Sequence, residues 1–419
     1  MVGLRRIFLT LFSLLAVSIV LLSTISNVVE FKYPDLAMRL NPLNNNALIQ
    51  LITNHLETGD VGNLSEAEHL AIKGAYLSRG DARIFSMLGV VWERQGKNDK
   101  AQKLFDHALR LLPTEGYALL NRFEYLIQNK RPSDAVDLAD VIFRRWRNDL
   151  WPLLDSYWPY ILSDAQAFEK AVQLFDKSLD GKYRLLASVL RELKDNPENI
   201  KYAQALVAEW GAQKSENMQP LINRLVNAWL FLNRPDRAYS QFVTSLDKNQ
   251  KLETGHVFNS RFNLRPQGNF FDWTIERQQG LVAKIIKVPN TGEGALDISF
   301  QNTPVKVKSI WQNLKLPSGI YELSSEHMTS HLHAPKPIRI FIGCGTGKIP
   351  LVDLALPDTK QQIEQHKIRF EVPDNDCDIQ RLWLGTEFLA MGWKNQFSGM
   401  LRLFEVSIKQ LGHEDKTAR

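Results

Sequence analysis

The sequence predicts a multidomain α plus β protein with an N-terminal transmembrane helix, an α-solenoid and a C-terminal antiparallel β-sandwich. Three observations carry this prediction. An uncharged apolar run occupies residues 7–29, helical periodicity dominates from about residue 36 to residue 246, and short β-rich runs punctuated by Pro, Gly and Asn follow from about residue 257. The chain has 419 residues, which is too long for one compact core, so several domains are expected.

Residues 7–29 form the predicted membrane anchor. They contain no charged residue, and a helix needs about 20 residues to cross a bilayer. A secretory signal peptide usually has an apolar core of about 7–15 residues and a small-residue cleavage site, and the best candidate here, Thr24-Ile25-Ser26, is a poor one. We predict an uncleaved signal anchor, with a cleaved signal as the alternative.

The charges around this run predict the topology. Arg5 and Arg6 precede it, and Glu30 follows it closely. The positive-inside rule then places the N-terminus in the cytoplasm and the chain after Val29 outside. In a bacterium, this predicts a single-pass inner-membrane protein with the bulk of its chain in the periplasm.

The charge pattern argues against a nucleic-acid partner. The formal net charge is +5, and the basic residues are scattered among acidic ones. One basic cluster, residues 144–147, is expected at a solvated helix end, because no nucleic-acid-binding module surrounds it. We therefore predict no nucleic-acid binding.

Residues 82–113 predict two helices joined by a tight turn at residues 95–98. Small residues, Gly89 and Ala101, stand where the helices would cross, and Pro113 would close the second helix. The spacing resembles the tetratricopeptide repeat, with Phe replacing the usual Trp at one position. The matching positions are Phe85, Leu88, Gly89, Trp92, Ala101, Phe105, Ala108 and Pro113.

The same period continues more faintly on both sides. Further units begin at Gly116 and Gln219, and residues 64–80 resemble the second helix of a preceding repeat. One clear repeat and about four to six degenerate ones would form an α-solenoid. The resemblance implies a concave face that binds protein partners; the alternative is a spacer between the membrane and the next domain.

The C-terminal region resembles a second family. The pattern N-x-x-F…G-N-F-F-D-W-x-I…G runs from Asn259 to Gly280, and the runs "SIWQNLKLPSGIYELSSEH" and "GMLRLFEVSIK" follow it in order. Together these motifs resemble the jelly roll of carbohydrate-binding modules, as found at the C-termini of tetratricopeptide proteins in bacterial exopolysaccharide loci. The resemblance covers residues 257–410 and implies contact with a polysaccharide.

The chain has two cysteines, Cys344 and Cys377, both in this C-terminal region. In an exported protein, an even pair within one domain suggests a disulfide, with two buried free thiols as the alternative. The resemblance also pairs these two positions. We expect their Cα atoms to lie about 4.4–6.8 Å apart.

Aromatic residues are the candidate glycan contacts, because exposed rings stack on sugar rings. Trp393, in the loop-like run "LAMGWKNQFSG", and Trp273, in "FFDW", are the candidate stacking residues, although packing across the end of the sandwich is favoured for Trp273. Trp311 and Trp383 lie in strand-like runs and are expected in the core.

No residues are assigned to catalysis, a cofactor or a metal. His327, His331 and His333 cluster, but a zinc site needs a third ligand and an ordered second shell. The related modules often hold calcium between acidic residues of the first and last strands. Here those positions offer Asn263 and Glu405, and one carboxylate is thin coordination for calcium.

These inferences predict an anchor at residues 1–29, a tetratricopeptide-like solenoid at 30–255, a carbohydrate-binding-like sandwich at 256–412 and a disordered tail at 413–419. The predicted function is a non-catalytic, membrane-anchored periplasmic scaffold for exopolysaccharide assembly or export. Its solenoid would bind proteins, and its sandwich would contact a glycan or another envelope component. The alternatives are an enzyme that modifies envelope polysaccharide, with the sandwich as its targeting module, and a scaffold that binds only proteins.

Overall fold

The computed structural model describes residues 2–58, 61–212, 218–289, 291–345, 350–386, 392 and 395–411. The chain divides into two compact units, residues 1–191 and 192–419. The helices of the first unit are α1 Val2–Val29, α2 Pro34–Leu40, α3 Asn45–Thr58, α4 Val61–Leu77, α5 Ala82–Arg94, α6 Asn98–Leu111, α7 Gly116–Gln128, α8 Pro132–Arg145, α9 Trp158–Ser163, α10 Ala165–Phe175 and α11 Leu179–Arg191, with a 3-10 helix at Trp151–Tyr157. The second unit begins with a 3-10 helix at Pro197–Asn199, followed by α12 Ile200–Ala212, α13 Gln219–Phe231, α14 Pro235–Thr244 and α15 Lys248–Leu252.

Helix α1 contains the stretch Leu11–Val29, which is long and apolar enough to cross a bilayer. Almost all of this stretch is exposed in the first unit, unlike the core helix of a water-soluble protein. The helix therefore presents an apolar surface that a membrane would cover.

The helical hairpin α5–α6 shows why this sequence forms paired helices. The Asp81 side chain accepts a hydrogen bond from the Arg83 N–H and caps the start of α5. Gly96 has φ +75° in the turn, a conformation that glycine adopts without strain. Gly89 lies against the ring of Phe105, and a Cβ at Gly89 would come within 2.5 Å of that ring. The two helices thus cross closely because residue 89 has no side chain.

Successive hairpins repeat this arrangement. Helices α5 and α7 start one 34-residue period apart, at Ala82 and Gly116, and α6 and α8 start at Asn98 and Pro132 with the same separation. The first helices of successive hairpins, α3, α5 and α7, contact one another. This stacking is compatible with an α-solenoid.

The second unit contains the predicted antiparallel sandwich. Its strands are β1 Thr274–Ile275, β2 Leu281–Lys287, β3 Gly294–Pro304, β4 Ile310–Leu314, β5 Gly319–His333, β6 Ile338–Cys344, β7 Val352–Leu356, β8 Glu364–Val372, β9 Gln380–Gly385 and β10 Gln396–Gln410. They form two five-stranded sheets. We call the sheet β1-β4-β9-β6-β7 the front sheet and the sheet β2-β3-β10-β5-β8 the back sheet. The antiparallel sandwich predicted from the sequence is confirmed.

The core of the sandwich lies between these sheets. Alternate residues of each strand point inward, such as Ile340 and Leu382 from the front sheet and Leu296 and Leu401 from the back sheet, all fully buried. This period of two follows from strand geometry, which sends successive side chains to opposite faces.

The predicted disulfide is confirmed. Cys344, at the end of β6, is bonded to Cys377, which precedes β9, and their Cα atoms are 4.8 Å apart. The bond closes a loop over a sequence separation of 33 residues. In the chain-entropy model, a loop of this length stabilises the folded state by about 3–4 kcal/mol.

The last helical hairpin, α13–α14, packs on the start of the strand region. Val226 and Phe242 from these helices share an apolar cluster with Phe258 and Phe271. The predicted boundary between residues 255 and 256 therefore falls inside the second compact unit. The predicted tail, 413–419, lies outside the described residues.

Candidate functional site

The outer side of the front sheet carries a row of aromatic side chains. Trp311 of β4 is paired in register with Trp383 of β9, and Trp383 is paired with Phe341 of β6. Residues in register across adjacent strands project from the same face, so the three rings form one row. All three are partly exposed. We call the outward side chains of this sheet, Trp311, Arg339, Phe341, Asp353, Arg381 and Trp383, the aromatic face.

Two glycines allow the rings to approach the sheet. A Cβ at Gly385 would come within 2.7 Å of the Phe341 ring, and a Cβ at Gly343 within 3.3 Å of the Trp383 ring. The rings of Phe341 and Trp383 are nearly parallel, with centroids 5.3 Å apart and an interplanar angle of 21°. Each of these two rings thus packs against a position without a side chain, and both remain partly exposed.

Charged groups surround these rings. The guanidinium carbon of Arg381 lies 4.2 Å from the centroid of the Trp311 ring, in cation–π geometry, and its Nε donates to Asn313 Oδ1 at 3.3 Å. Arg339 forms an ion pair with Asp353 at the other end of the row. The aromatic face thus combines an apolar platform with hydrogen-bonding groups at both ends, an arrangement suited to a flat ligand with a polar rim.

Trp273 does not belong to this surface, and the structure corrects its candidate stacking role. It is 1% exposed, its ring contacts Phe262 at a centroid distance of 5.1 Å, and its Nε1 donates to the Asn259 carbonyl at 3.2 Å. A side chain buried on all sides cannot stack on a ligand. The packing role that the sequence favoured for Trp273 is the one observed. The other candidate, Trp393, lies outside the described residues.

The expected core positions of Trp311 and Trp383 are wrong. In β9, Leu382 and Leu384 point into the core. Arg381 and Trp383, which alternate with them along the strand, therefore point outward. The sequence "QRLWLG" already indicates this direction. Arg381 is two residues from Trp383, so both side chains lie on the same face of a strand, and a charged residue is expected on the outer face. The run "IRIFIG" places Arg339 and Phe341 on one face in the same way. That Phe341 lies beside Trp383 has no local signal, because it depends on strand pairing across the chain.

The three histidines differ in burial. His327 is fully buried, with Nε2 3.1 Å from the Pro357 carbonyl oxygen, and burial lowers the pKa of its imidazole. His331 and His333, near the end of the same strand, are exposed. Within the described ranges, no three His, Cys, Asp or Glu side chains are grouped as a metal site would require.

The two positions compared with a calcium site have protein partners. Asn263 Oδ1 accepts from the Gly294 N–H at 3.1 Å, and its amide donates to Glu253. Glu405 forms an ion pair with Arg261 at 3.2 Å. One oxygen of each of these two side chains thus has a protein donor.

The first unit contains a separate groove of about 580 Å³. Its apolar lining includes Ile49, Met87 and Leu120, from the stacked helices α3, α5 and α7. Glu115 lies at its wall, accepting hydrogen bonds from the Ser86 hydroxyl and from the Ala118 N–H, and burial raises the pKa of its carboxyl. The groove is mostly apolar and is large enough for a few side chains of a partner.

No known family model and no curated protein matches this chain. Solved structures match it over the C-terminal region. A structure titled "CBM4 structure and function" is 13% identical with a TM-score of 0.28, and the match covers 37% of this chain and 99% of that one. A carbohydrate-binding module of Cellvibrio mixtus lichenase 5A, in complex with cellotriose, is 12% identical with a TM-score of 0.22, covering 34% and 99%. The CBM22-1 xylan-binding domain from Paenibacillus barcinonensis is 11% identical with a TM-score of 0.24, covering 36% and 91%.

Proposed function

We propose that this chain is a membrane-anchored, non-catalytic scaffold that binds a glycan on the aromatic face and a protein partner in the groove of its helical unit. The observation that carries the proposal is the row of Trp311, Trp383 and Phe341 on the outside of the front sheet. Outward aromatic rings of a sandwich contribute nothing to the core between the sheets. Their grouping on one outer face therefore supports a binding role.

A sugar ring fits the chemistry of this face. Its apolar C–H side can stack on the exposed sides of Phe341 and Trp383, while its hydroxyls can bond to Arg381, Arg339 and Asp353. Two stacked aromatic rings contribute about 0.5–1.5 kcal/mol beyond the area that they bury, and we take this as the order of magnitude for a sugar ring on an aromatic one. Several such contacts along a polymer would add up to a useful affinity.

The carboxylates of the front sheet support binding over hydrolysis. Asp353 is the one Asp or Glu in its five strands, all of which are described, and it is paired with Arg339. Glycoside hydrolysis usually requires two carboxyl groups about 5–10 Å apart on either side of the bond. A binding role needs only the platform and its polar rim.

Contacts of helix α1 support an anchor that stays attached. Ser26 is fully buried, donates to the Ala37 carbonyl at 2.8 Å and accepts from the Asn44 amide at 2.8 Å. Cleavage near residue 26 would remove these partners from folded structure, and buried polar groups without partners cost about 1–3 kcal/mol each. We therefore favour an uncleaved anchor over a cleaved signal.

Charge and chemistry together support the proposed compartment. Arg5 and Arg6 before the apolar run favour a cytoplasmic N-terminus, which would place both compact units in the periplasm. The Cys344–Cys377 disulfide is consistent with an oxidising compartment. The exopolysaccharide setting rests on the resemblance of the sequence to proteins of such loci.

The test is glycan binding by the full chain in detergent, measured by affinity electrophoresis in gels that contain neutral β-glucans, galactans or uronate-containing exopolysaccharides. We expect one class to retard the wild-type chain. Trp383→Ala should weaken this interaction by about tenfold, because losing a stacked ring costs on the order of 1 kcal/mol or more.

Lys367→Ala is the matched control, since Lys367 lies on the back sheet and is half-exposed. It should leave the retardation unchanged. Equal binding by the wild type, Trp383→Ala and Phe341→Ala would refute the aromatic face as the glycan site. No retardation by any polysaccharide would favour the scaffold that binds only proteins.

A further inference from the structure

Helix α2 runs back alongside the end of helix α1. Ser26 of α1 donates to the Ala37 carbonyl, whereas Ser23, closer to the N-terminus, accepts from the Asn41 amide at 3.3 Å. Asn44, after α2, reaches Ser26 at 2.8 Å. The two helices are therefore antiparallel, and the turn at residues 41–44 lies beside Ser23–Ser26 rather than beyond the end of α1.

This geometry sets the depth of the turn relative to the membrane. Ser23 lies six residues before Val29, the last residue of the apolar stretch, which corresponds to about 9 Å along a helix axis. Crossing the hydrocarbon layer takes about 20 residues, so nearly the whole stretch Leu11–Val29 is needed. A span that began at residue 7 would still end near Ser26. Whether the span ends at Ser26 or at Val29, Ser23 lies within the hydrocarbon layer. The turn at residues 41–44, which lies beside Ser23–Ser26, is therefore at or just inside the membrane boundary.

The side chains around this turn suit a membrane surface. Leu43 is 63% exposed and Leu36 46% exposed, on the part of the chain that lies beside α1. Phe31 is 70% exposed and Tyr33 54% exposed, nearer the end of α1, where an aromatic side chain would meet the headgroup layer. Phe31 also lines the groove of the first unit, so that groove would open close to the membrane surface. In water, these four side chains would leave apolar surface uncovered within a segment of 13 residues.

The side chains of the two asparagines in the turn are paired within the chain. Asn41 Oδ1 accepts from the Leu43 N–H at 3.1 Å, and Asn44 Oδ1 accepts from the Ala47 N–H at 3.0 Å. The amides of both asparagines donate to side chains of α1. The turn can therefore enter a region of low dielectric without leaving these groups unpaired.

We propose that residues 31–44, which we call the foot, insert into the leaflet at which α1 ends and seat the first unit directly on the bilayer surface. The occupant of this apolar surface is lipid, and the inference rests on the proposed anchoring by α1. Leu43, in the turn, contacts acyl chains, and Leu36 lies closer to the boundary. Lys32 and Asp35, nearer the end of α1, face the headgroup layer, and the long side chain of Arg39, between the two leucines, extends outward to the phosphates. The first unit would then have a fixed height and orientation on the membrane instead of hanging from a flexible linker.

The test uses the full chain in proteoliposomes of phosphatidylcholine and phosphatidylglycerol. Both native cysteines are in the disulfide, so a Leu43→Cys variant offers one thiol for an environment-sensitive fluorophore under non-reducing conditions. The matched control is Leu153→Cys, which is 52% exposed in the same unit but lies beyond α8. Each sample is also extracted with alkaline carbonate to establish that α1 spans the membrane.

We expect the probe at residue 43 to emit at shorter wavelength than the probe at residue 153. It should also be quenched severalfold less by aqueous iodide and more by lipids that carry a nitroxide near the headgroup. A carbonate-resistant chain whose residue 43 is as accessible to iodide as residue 153 would overturn the foot while leaving the anchor intact. Release of the chain by carbonate would overturn both.

Discussion

The two sheets of the sandwich bury similar aliphatic side chains toward each other, yet their outer faces differ in chemistry. The front sheet presents the aromatic face. The back sheet presents ion pairs: Arg402 contacts Asp297 through two hydrogen bonds, at 2.5 and 3.0 Å, and Lys367 lies 3.2 Å from Glu322. Both faces sit on the same core, so the core does not explain the difference.

This difference indicates which face has a role beyond folding. Charged pairs on an outer strand face keep a sheet soluble and cover it without a ligand. Partly exposed Trp and Phe side chains do not make a sheet soluble, and they leave apolar surface in contact with water. Such a surface is typical of a binding site, where a ligand covers it. A sandwich with one charged face and one aromatic face is therefore a fold whose stability and binding can be separated by substitution.

The largest expected effect is on the back sheet. The side chains of Asp297 and Arg402 are mostly buried, and removing one partner from such a pair leaves the other charge uncompensated. Arg402→Met should lower the free energy of unfolding of the sandwich by roughly 3 kcal/mol. Denaturant-dependent hydrogen exchange of the strands in the detergent-solubilised chain would measure this.

Glycan retardation of Arg402→Met at a temperature where it is folded should match that of the wild type. Lys367→Met provides the comparison within the sheet, because this pair is much more exposed and should contribute less than about 1 kcal/mol. If Arg402→Met abolished glycan binding while remaining folded, the separation between the two faces would be lost.

The front sheet also has a buried carboxylate near it, and its partners differ from those of Asp297. Asp272, just before β1 of the front sheet, accepts hydrogen bonds from the backbone N–H groups of Gln267 and Trp273, whereas Asp297 accepts from a guanidinium. Burial raises the pKa of the Asp272 carboxyl to about 6. Since the unfolded chain releases this proton near pH 4 and the folded chain retains it to about pH 6, raising the pH between these values favours unfolding.

We therefore expect the sandwich to lose stability from about pH 4 to pH 6, by at most roughly 3 kcal/mol from this group, and to lose no more from it at higher pH. Asp272→Asn removes the titration, so its stability curve should be flatter over this interval. The free energy of unfolding of Asp272→Asn is also expected to differ from that of the wild type by an amount that does not depend on pH, because an amide NH2 replaces one acceptor oxygen. Parallel curves for the wild type and Asp272→Asn would show that the carboxyl titrates alike in the folded and the unfolded chain, which would contradict the raised pKa.

The sequence predicted the architecture because its signals are local. An uncharged run, a change from helical to strand periodicity and a pair of cysteines can each be read within a short window. The aromatic face depends on contacts between distant segments. Alternation within β9 places Trp383 on the other face of the strand from Leu382. Only the pairing of β9 with β4 and β6 brings Trp383 beside Trp311 and Phe341. The foot was likewise hidden, since Ser23 and Asn41 meet only when α2 folds back.

The smallest expected effect comes from the glycines under the aromatic face. Neither Gly343 nor Gly385 has a positive φ, so alanine is acceptable to the backbone at both positions, and the added Cβ acts only on the rings. At Gly385 it would stand 2.7 Å from the Phe341 ring, which must swing away, whereas at Gly343 it would stand 3.3 Å from the Trp383 ring, which needs to move only slightly. Gly385→Ala should therefore weaken glycan retardation a few-fold, by somewhat less than about 1 kcal/mol, and Gly343→Ala by less still. The free energy of unfolding of both variants should be close to that of the wild type, since a partly exposed ring can move without opening the core. Titration of each variant against the polysaccharide that retards the wild type would rank them. A larger effect at Gly343 than at Gly385, or none at either, would mean that the ligand does not depend on rings lying flat against the front sheet.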